Sequence, residues 1–288
     1  MKRILVVLIS VFIAQFAIAD QKNGLTLDVY TADSGSFGVN ATLVYGEKEA
    51  LLVDTGFTKA DALRIAAKVL DSKKTLKTIF ISQADPDYYF GAEALHGIFP
   101  DAEIITTAAV KEAIEKKLEG KLAFWGPKMG ANSPVKPIIP AVYDGSSLLV
   151  DGHIVEIIKT EGVLAHRPYL WIPEKKAVLG NVAVFGNIHP WMADAQSVEM
   201  QDAWKDQLNE MLALSPSVVI PGHMTPETKL TSEAFKFTLN YINDFQEAKA
   251  ASQNSAEMIE IMTTKYPNAA GLLNLNIAAK VHKGEMQW

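Results

Sequence analysis

Three short segments place polar side chains where an apolar run ends and the chain turns. They are Val53-Asp54-Thr55-Gly56, Ser82-Gln83-Ala84-Asp85-Pro86-Asp87-Tyr88-Tyr89-Phe90-Gly91 and Val218-Val219-Ile220-Pro221-Gly222-His223. Strand ends that open into polar loops are where α/β enzymes collect their reactive groups. Asp85 and Asp87, two positions apart, offer carboxylate oxygens, and His223 offers an imidazole. Such a set suits one hard divalent ion such as Mg²⁺, Ca²⁺ or Mn²⁺. Without metal, two carboxyls facing a histidine can share a proton and act as a general acid–base group. A purely structural reading is also available: Asp87 serves the start of the following helix and pairs with His223. No Ser–His–Asp arrangement or phosphate-cradling glycine loop stands out.

Short β-rich runs precede each segment. Leu25–Thr31, Ala41–Tyr45 and Ala50–Val53 are bounded by turns such as Ser34-Gly35-Ser36-Phe37-Gly38. In Thr58–Leu70, Ala62, Ile65, Ala66 and Val69 fall at helical spacing. Strands at Thr78–Ser82 and Glu103–Thr106 alternate with helices at Ala92–Phe99 and Ala108–Leu118, and the mixed charges of Glu112–Lys121 mark a solvated helix face. The second half reads as a meander, Ser147–Val150, His153–Lys159, Tyr169–Ile172 and Ala177–Leu179. A helix at Met200–Leu214, the strand Ser217–Ile220 and helices at Ser232–Lys249 and Ser255–Lys265 follow, with a tail expected beyond Tyr266. Strands before helices, twice over and without a Pro-, Gly- or Ser-rich linker, predict one α/β domain over residues 20–288.

Of the 288 residues 49% are apolar and 21% charged, which excludes a disordered chain or a coiled coil. A formal charge of −6 argues against nucleic acid as partner, because phosphate binding needs a basic face. There is no cysteine, so disulfides, thiolate catalysis and cysteine-ligated metal are all excluded. Lys2 and Arg3, the apolar run Ile4–Phe16 and Ala17-Ile18-Ala19 read as a secretory signal peptide over residues 1–19, cleaved before Asp20. The run is shorter than the ~20 residues a membrane span needs, so no stable membrane anchor is expected. The expected location is the periplasm or the cell exterior.

In their order and separation, the Asp54-Thr55-Gly56 turn, the loop Asp87-x-x-x-Gly91 and the Pro221-Gly222-His223 turn resemble the metallo-β-lactamase superfamily over about Leu25 to Pro226. The stretch Gly180-Asn181-Val182 through Asn187-Ile188-His189-Pro190-Trp191 resembles a bacterial metallo-hydrolase subgroup. The resemblance implies a four-layer αββα sandwich and hydrolysis supported by one or two metal ions. It also implies roles by position. Asp54 orders the site through hydrogen bonds, while His189 and Trp191 lie near the mouth as candidate substrate contacts. Tyr88 stands where a ligand belongs, with its hydroxyl expected to face the cleft. Phe124 and Trp125 are candidates for lining it.

The departures matter more than the matches. Where the family's ligand loop reads His-x-His-x-Asp-His, this chain has Gln83, Asp85, Asp87 and Tyr88. Val163 takes the place of the next histidine, with His166 three residues on, and Asn181 replaces the bridging aspartate. Only Asp87 and His223 keep the family's residue type. Zinc prefers nitrogen and sulfur donors, so a dinuclear zinc site is not expected. At most one weakly bound divalent ion is, on Asp85, Asp87 and His223 with Gln83 and Asn181 as further donors. Every replacement is nonetheless polar, which is costly in a buried cleft unless the groups find partners. Two readings follow: a hydrolase-like enzyme with an oxygen-rich or metal-free site, its catalytic groups Asp85, Asp87 and His223 and its substrate a small molecule, or a catalytically silent protein that binds a small ligand in the old cleft.

Overall fold

The computed structural model describes residues 24–159 and 161–288. The expected signal peptide lies outside them. The first sheet runs β1 (Thr26–Thr31), β2 (Asn40–Tyr45), β3 (Glu49–Val53), β4 (Thr75–Phe80), β5 (Glu103–Thr106) and β6 (Ala141–Val142), each strand beside the next. β1 to β3 are antiparallel and β3 to β6 parallel. The second sheet begins as a meander of β7 (Ser147–Val150), β8 (His153–Ile158), β9 (Tyr169–Ile172) and β10 (Ala177–Leu179). A short ladder pairs β11 (Phe185–Gly186) with β13 (His223–Met224), and β12 (Val218–Val219) completes the second sheet beside β10.

Burial explains the strand compositions. β2 and β3 are buried on both faces almost throughout, as continuous apolar runs demand, whereas β7 alternates inward Leu148 and Val150 with exposed Leu149. Val44, Leu51, Val53 and Phe80 of the first sheet meet Leu148, Val155, Leu170 and Ile172 of the second in one apolar layer. The outer face of the first sheet is covered by α1 (Lys59–Ser72), α3 (Ala92–Ile98), which follows the single turn α2 (Pro86–Tyr89), and α4 (Ala108–Met129). Helix α1 is started by a reciprocal Thr58–Asp61 capping box and buries Ala62, Ile65, Ala66 and Val69, the spacing read from the sequence. The second sheet is covered by α5 (Val198–Ala213), α6 (Glu233–Ala251), α7 (Ser255–Lys265) and α8 (Leu272–His282). This is the expected αββα sandwich. No helix among the described residues is long and apolar enough to cross a membrane.

Two expectations change. Helix α4 runs to Met129, beyond the expected end at Leu118, and buries only Val110 and Ile114. The segment beyond Tyr266 is not a tail: α8 buries Asn274, Leu275, Ala278, Ala279 and Val281, and Ala270 bonds back to Asn187 and His189. Since Leu275 is fully buried among the helices of the second layer, Leu275→Ala should lower the unfolding free energy by about 2–5 kcal/mol in urea titration. A loss below about 0.5 kcal/mol would show that α8 does not dock.

Candidate active site

Asp54 is the first fixed point. Immediately after β3 it takes a left-handed conformation, φ +65°, and its N–H donates to the Phe80 carbonyl at 2.9 Å. Its carboxyl accepts from the Ser82 amide at 2.8 Å and the Ser82 hydroxyl at 2.7 Å. The next residue extends the tie: the amide and hydroxyl of Thr55 both donate to the Tyr88 carbonyl at 2.9 Å. Gly91 closes the loop by approaching so near that a Cβ there would lie 2.0 Å from the Thr55 carbonyl oxygen. The ordering role read for Asp54 is therefore its geometry. Burial lifts its pKa to about 7 against the opposing pull of the Ser82 bonds.

This lashing delivers Asp87, in the first turn of α2, to His223 at the start of β13; Asp87 Oδ2 and His223 Nε2 are 3.4 Å apart. The other imidazole nitrogen, Nδ1, lies 3.1 Å from the Phe37 carbonyl. A carbonyl can only accept, so Nδ1 carries the proton and the Nε2 lone pair faces Asp87. Phe185 stacks on the imidazole at 5.0 Å and 10°, and Tyr88 meets it edge-on at 5.6 Å and 86°. Desolvation lowers the His223 pKa to about 4, against the bond to Phe37. Burial, and then the neighbouring Asp85, raises that of Asp87 to about 8. At neutral pH the proton thus sits on the carboxyl and the imidazole is a neutral base.

The remaining expected donors are engaged elsewhere. Gln83 is buried and its Nε2 donates to the Pro168 carbonyl at 3.2 Å. Asn181 accepts from the Ala183 amide and turns its Nδ2 to Met211 Sδ at 3.6 Å. Tyr88 corrects an expectation: it is wholly buried and its hydroxyl lies against Gly222 instead of facing the cleft, because the Thr55 bonds draw this turn inward. Asp85 caps α2 by position without a side-chain bond to it. Burial and the nearby Asp194 raise its pKa, while Lys121, Lys117 and Arg167 oppose. Asp194 is also pushed up by burial, but Lys117, Lys121 and Arg167 outweigh this and hold it low. His166 sits by Arg167, Lys117 and Asp194, outside the cleft lining, and its pKa falls to about 4, chiefly through burial. Among the described residues no group of three or more His, Cys, Asp or Glu is gathered to hold a metal ion.

Above Asp85, Asp87 and His223 lies a cleft with about 50 Å³ of space that water can reach, walled by Phe37, Phe57, Trp125, Trp191 and Trp288. Trp125 and Trp191 both line this cleft, while Phe124 packs behind Trp125 at 4.9 Å without lining it. His189 is a second correction. It is fully buried behind the wall, its Nδ1 2.9 Å from the Tyr241 hydroxyl, its amide bonded to Ala270 and its carbonyl accepting from Asn274. Docking of α8 encloses it. Sequence reasoning missed Asn274 and Trp288 altogether, because both belong to the segment read as a tail. The Trp288 indole donates to Asp194 at 2.8 Å and packs on Trp191 at 5.2 Å.

A carboxyl whose pKa rises on folding stays protonated in the native chain after the unfolded chain has lost its proton, so stability falls as pH climbs towards the native value. A histidine whose pKa drops on folding has the opposite slope, and that slope ends near its unfolded pKa of 6.5. Between pH 6.5 and 8 the buried carboxyls Asp54, Asp85 and Asp87 act in this way. The unfolding free energy should therefore drop by at least about 2 kcal/mol across that window. Asp87→Asn should remove on the order of 1 kcal/mol of that drop in urea titrations run at each pH. An unchanged slope in the variant would mean that Asp87 is ionised in the native protein.

A sequence profile described as metallo-beta-lactamase superfamily matches residues 34–223. Comparison with curated proteins gave no match. Among solved structures, a metallo-beta-lactamase family protein from Thermus thermophilus superposes with a TM-score of 0.63 at 17% identity, covering 90% of this chain and 91% of its own. A metallo-beta-lactamase from Pontibacter korlensis gives 0.54 at 15% identity, covering 78% and 96%. The DIM-1 metallo-beta-lactamase gives 0.53 at 16%, covering 78% and 95%. At such identities the likeness carries the fold alone, but the profile spans well over half of the chain: the protein belongs to the metallo-β-lactamase superfamily.

Proposed function

We propose that this is an exported, hydrolase-like member of the superfamily whose metal centre is degenerate, and that it acts on a small molecule by acid–base chemistry at Asp87 and His223. The observation that carries the reading is the tie from His223 Nδ1 to the Phe37 carbonyl, which leaves Nε2 as an acceptor beside Asp87 at the base of the aromatic cleft. The residues present do not fit a paired zinc centre. Of the positions the family uses, Gln83 and Asn181 spend their amides on other buried groups and Tyr88 is enclosed. Only Asp87 and His223 remain side by side. A bound water or hydroxyl next to Nε2 would lose its proton to the imidazole, and the protonated Asp87 carboxyl would supply one to a leaving oxygen. The aromatic walls would hold the apolar part of the substrate and exclude bulk water.

The lactamase names of the structural neighbours do not extend to this chain's substrate, since the fold supports many chemistries. Export rests on the sequence of residues 1–19. The second reading, a silent ligand-binding protein, is favoured by the narrow and largely apolar cleft. Turnover separates the two. Protein stripped with a chelator and assayed on small esters, lactones and amides should hydrolyse at least one of them. Asp87→Asn and His223→Ala should each lower kcat by about 10²–10⁴-fold. Unchanged turnover in both variants would move the chemistry elsewhere, and activity that returns only with added Zn²⁺ would overturn the metal-free site.

A further inference from the structure

The polar groups that meet the cleft are mostly acceptors. Asp85 and Asp87 contribute carboxyls, and Asn274 contributes an amide whose Nδ2 is spent on the His189 carbonyl at 2.9 Å. The other end of that amide, Oδ1, is buried and without a hydrogen-bond partner, although Asn274 is only 3% exposed. A buried acceptor left in this state costs free energy that a donor on a ligand would recover. The walls include the indoles of Trp125, Trp191 and Trp288, and the negative face of an aromatic ring attracts a cation. The chain already uses one of them in this way: Lys121 Nζ stands 4.8 Å from the centre of the Trp288 ring. Lys121 is also the only Lys or Arg among the described residues that line the cleft.

We infer that the cleft selects an organic ammonium cation, held among the indole rings and by N–H bonds to the acceptor oxygens of Asp85, Asp87 and Asn274, with Lys121 as the chain's own competing cation. The inference names a ligand class for the cleft of the preceding reading and does not depend on turnover. A protein that binds ammonium ions but hydrolyses nothing loses only the acid–base function, while one that hydrolyses neutral or anionic substrates and ignores ammonium ions loses only this inference.

Trimethylammonium, which carries one N–H donor, is the probe, compared with tert-butanol as a neutral donor of similar size and with acetate as an anion. Binding is followed by tryptophan fluorescence and titration calorimetry on the whole protein. Trimethylammonium should bind saturably and at least about tenfold more tightly than tert-butanol. Trp191→Leu should weaken it by about fivefold or more with the melting temperature nearly unchanged. Lys121→Met should tighten it severalfold, because the competing charge is gone. An anion site predicts the reverse, loss of binding in Lys121→Met. Equal affinity for tert-butanol, preference for acetate, no binding of the cation, or weaker cation binding in Lys121→Met would each overturn the assignment.

Discussion

The site depends on the aromatic enclosure of one imidazole. His223 is stacked on Phe185, met edge-on by Tyr88 and tied through Nδ1 to the Phe37 carbonyl, so it has neither the freedom to rotate nor the solvent to support a charge. A buried imidazole without a close anion stays neutral. The carboxyl facing it could relieve this only by being ionised itself, and burial beside Asp85 disfavours that charge as well. The cheaper arrangement leaves the proton on Asp87. In the family pattern the position of Tyr88 belongs to a metal ligand, and here a phenol ring takes up the interior instead.

The enclosure is held in place from a distance. The left-handed Asp54 and its bonds to Ser82 fix where the loop leaves β4, Thr55 fixes where Tyr88 turns inward, and Gly91 permits the close approach that completes the loop. On the other side β13 pairs with β11, which brings Phe185 and His223 into register with each other. Residues far apart in sequence therefore share one purpose: each positions a ring or a carbonyl around a single imidazole.

Much of this was legible in the sequence. The strand ends and the Asp54 turn follow from local turn chemistry and from the order of apolar runs, and the Asp87–His223 pair from the resemblance to the family's ligand positions. The destinations of Gln83 and Asn181 were not, because a buried amide serves whichever backbone group lacks a partner, and that depends on packing across the sheets. Tyr88 read as a cleft-facing hydroxyl, since a residue type says nothing about which way the chain draws it. The segment around Leu272-Leu273-Asn274-Leu275 was misread for a different reason. Its apolar residues do not form a single stripe, so a docked helix lacks the amphipathic period that would announce it. With that helix went Asn274 and Trp288, and with them a whole wall of the cleft.

The central claim is that His223 is a neutral base held by rings and a carbonyl, and not a metal ligand. Nitrogen-15 NMR of the histidine side chains tests it most directly. The account predicts that at pH 7 the His223 signals are those of the neutral Nδ1–H form, and that excess Zn²⁺ leaves them in place. Imidazolium signals at that pH, or a shift of Nε2 that follows the added zinc, would contradict it.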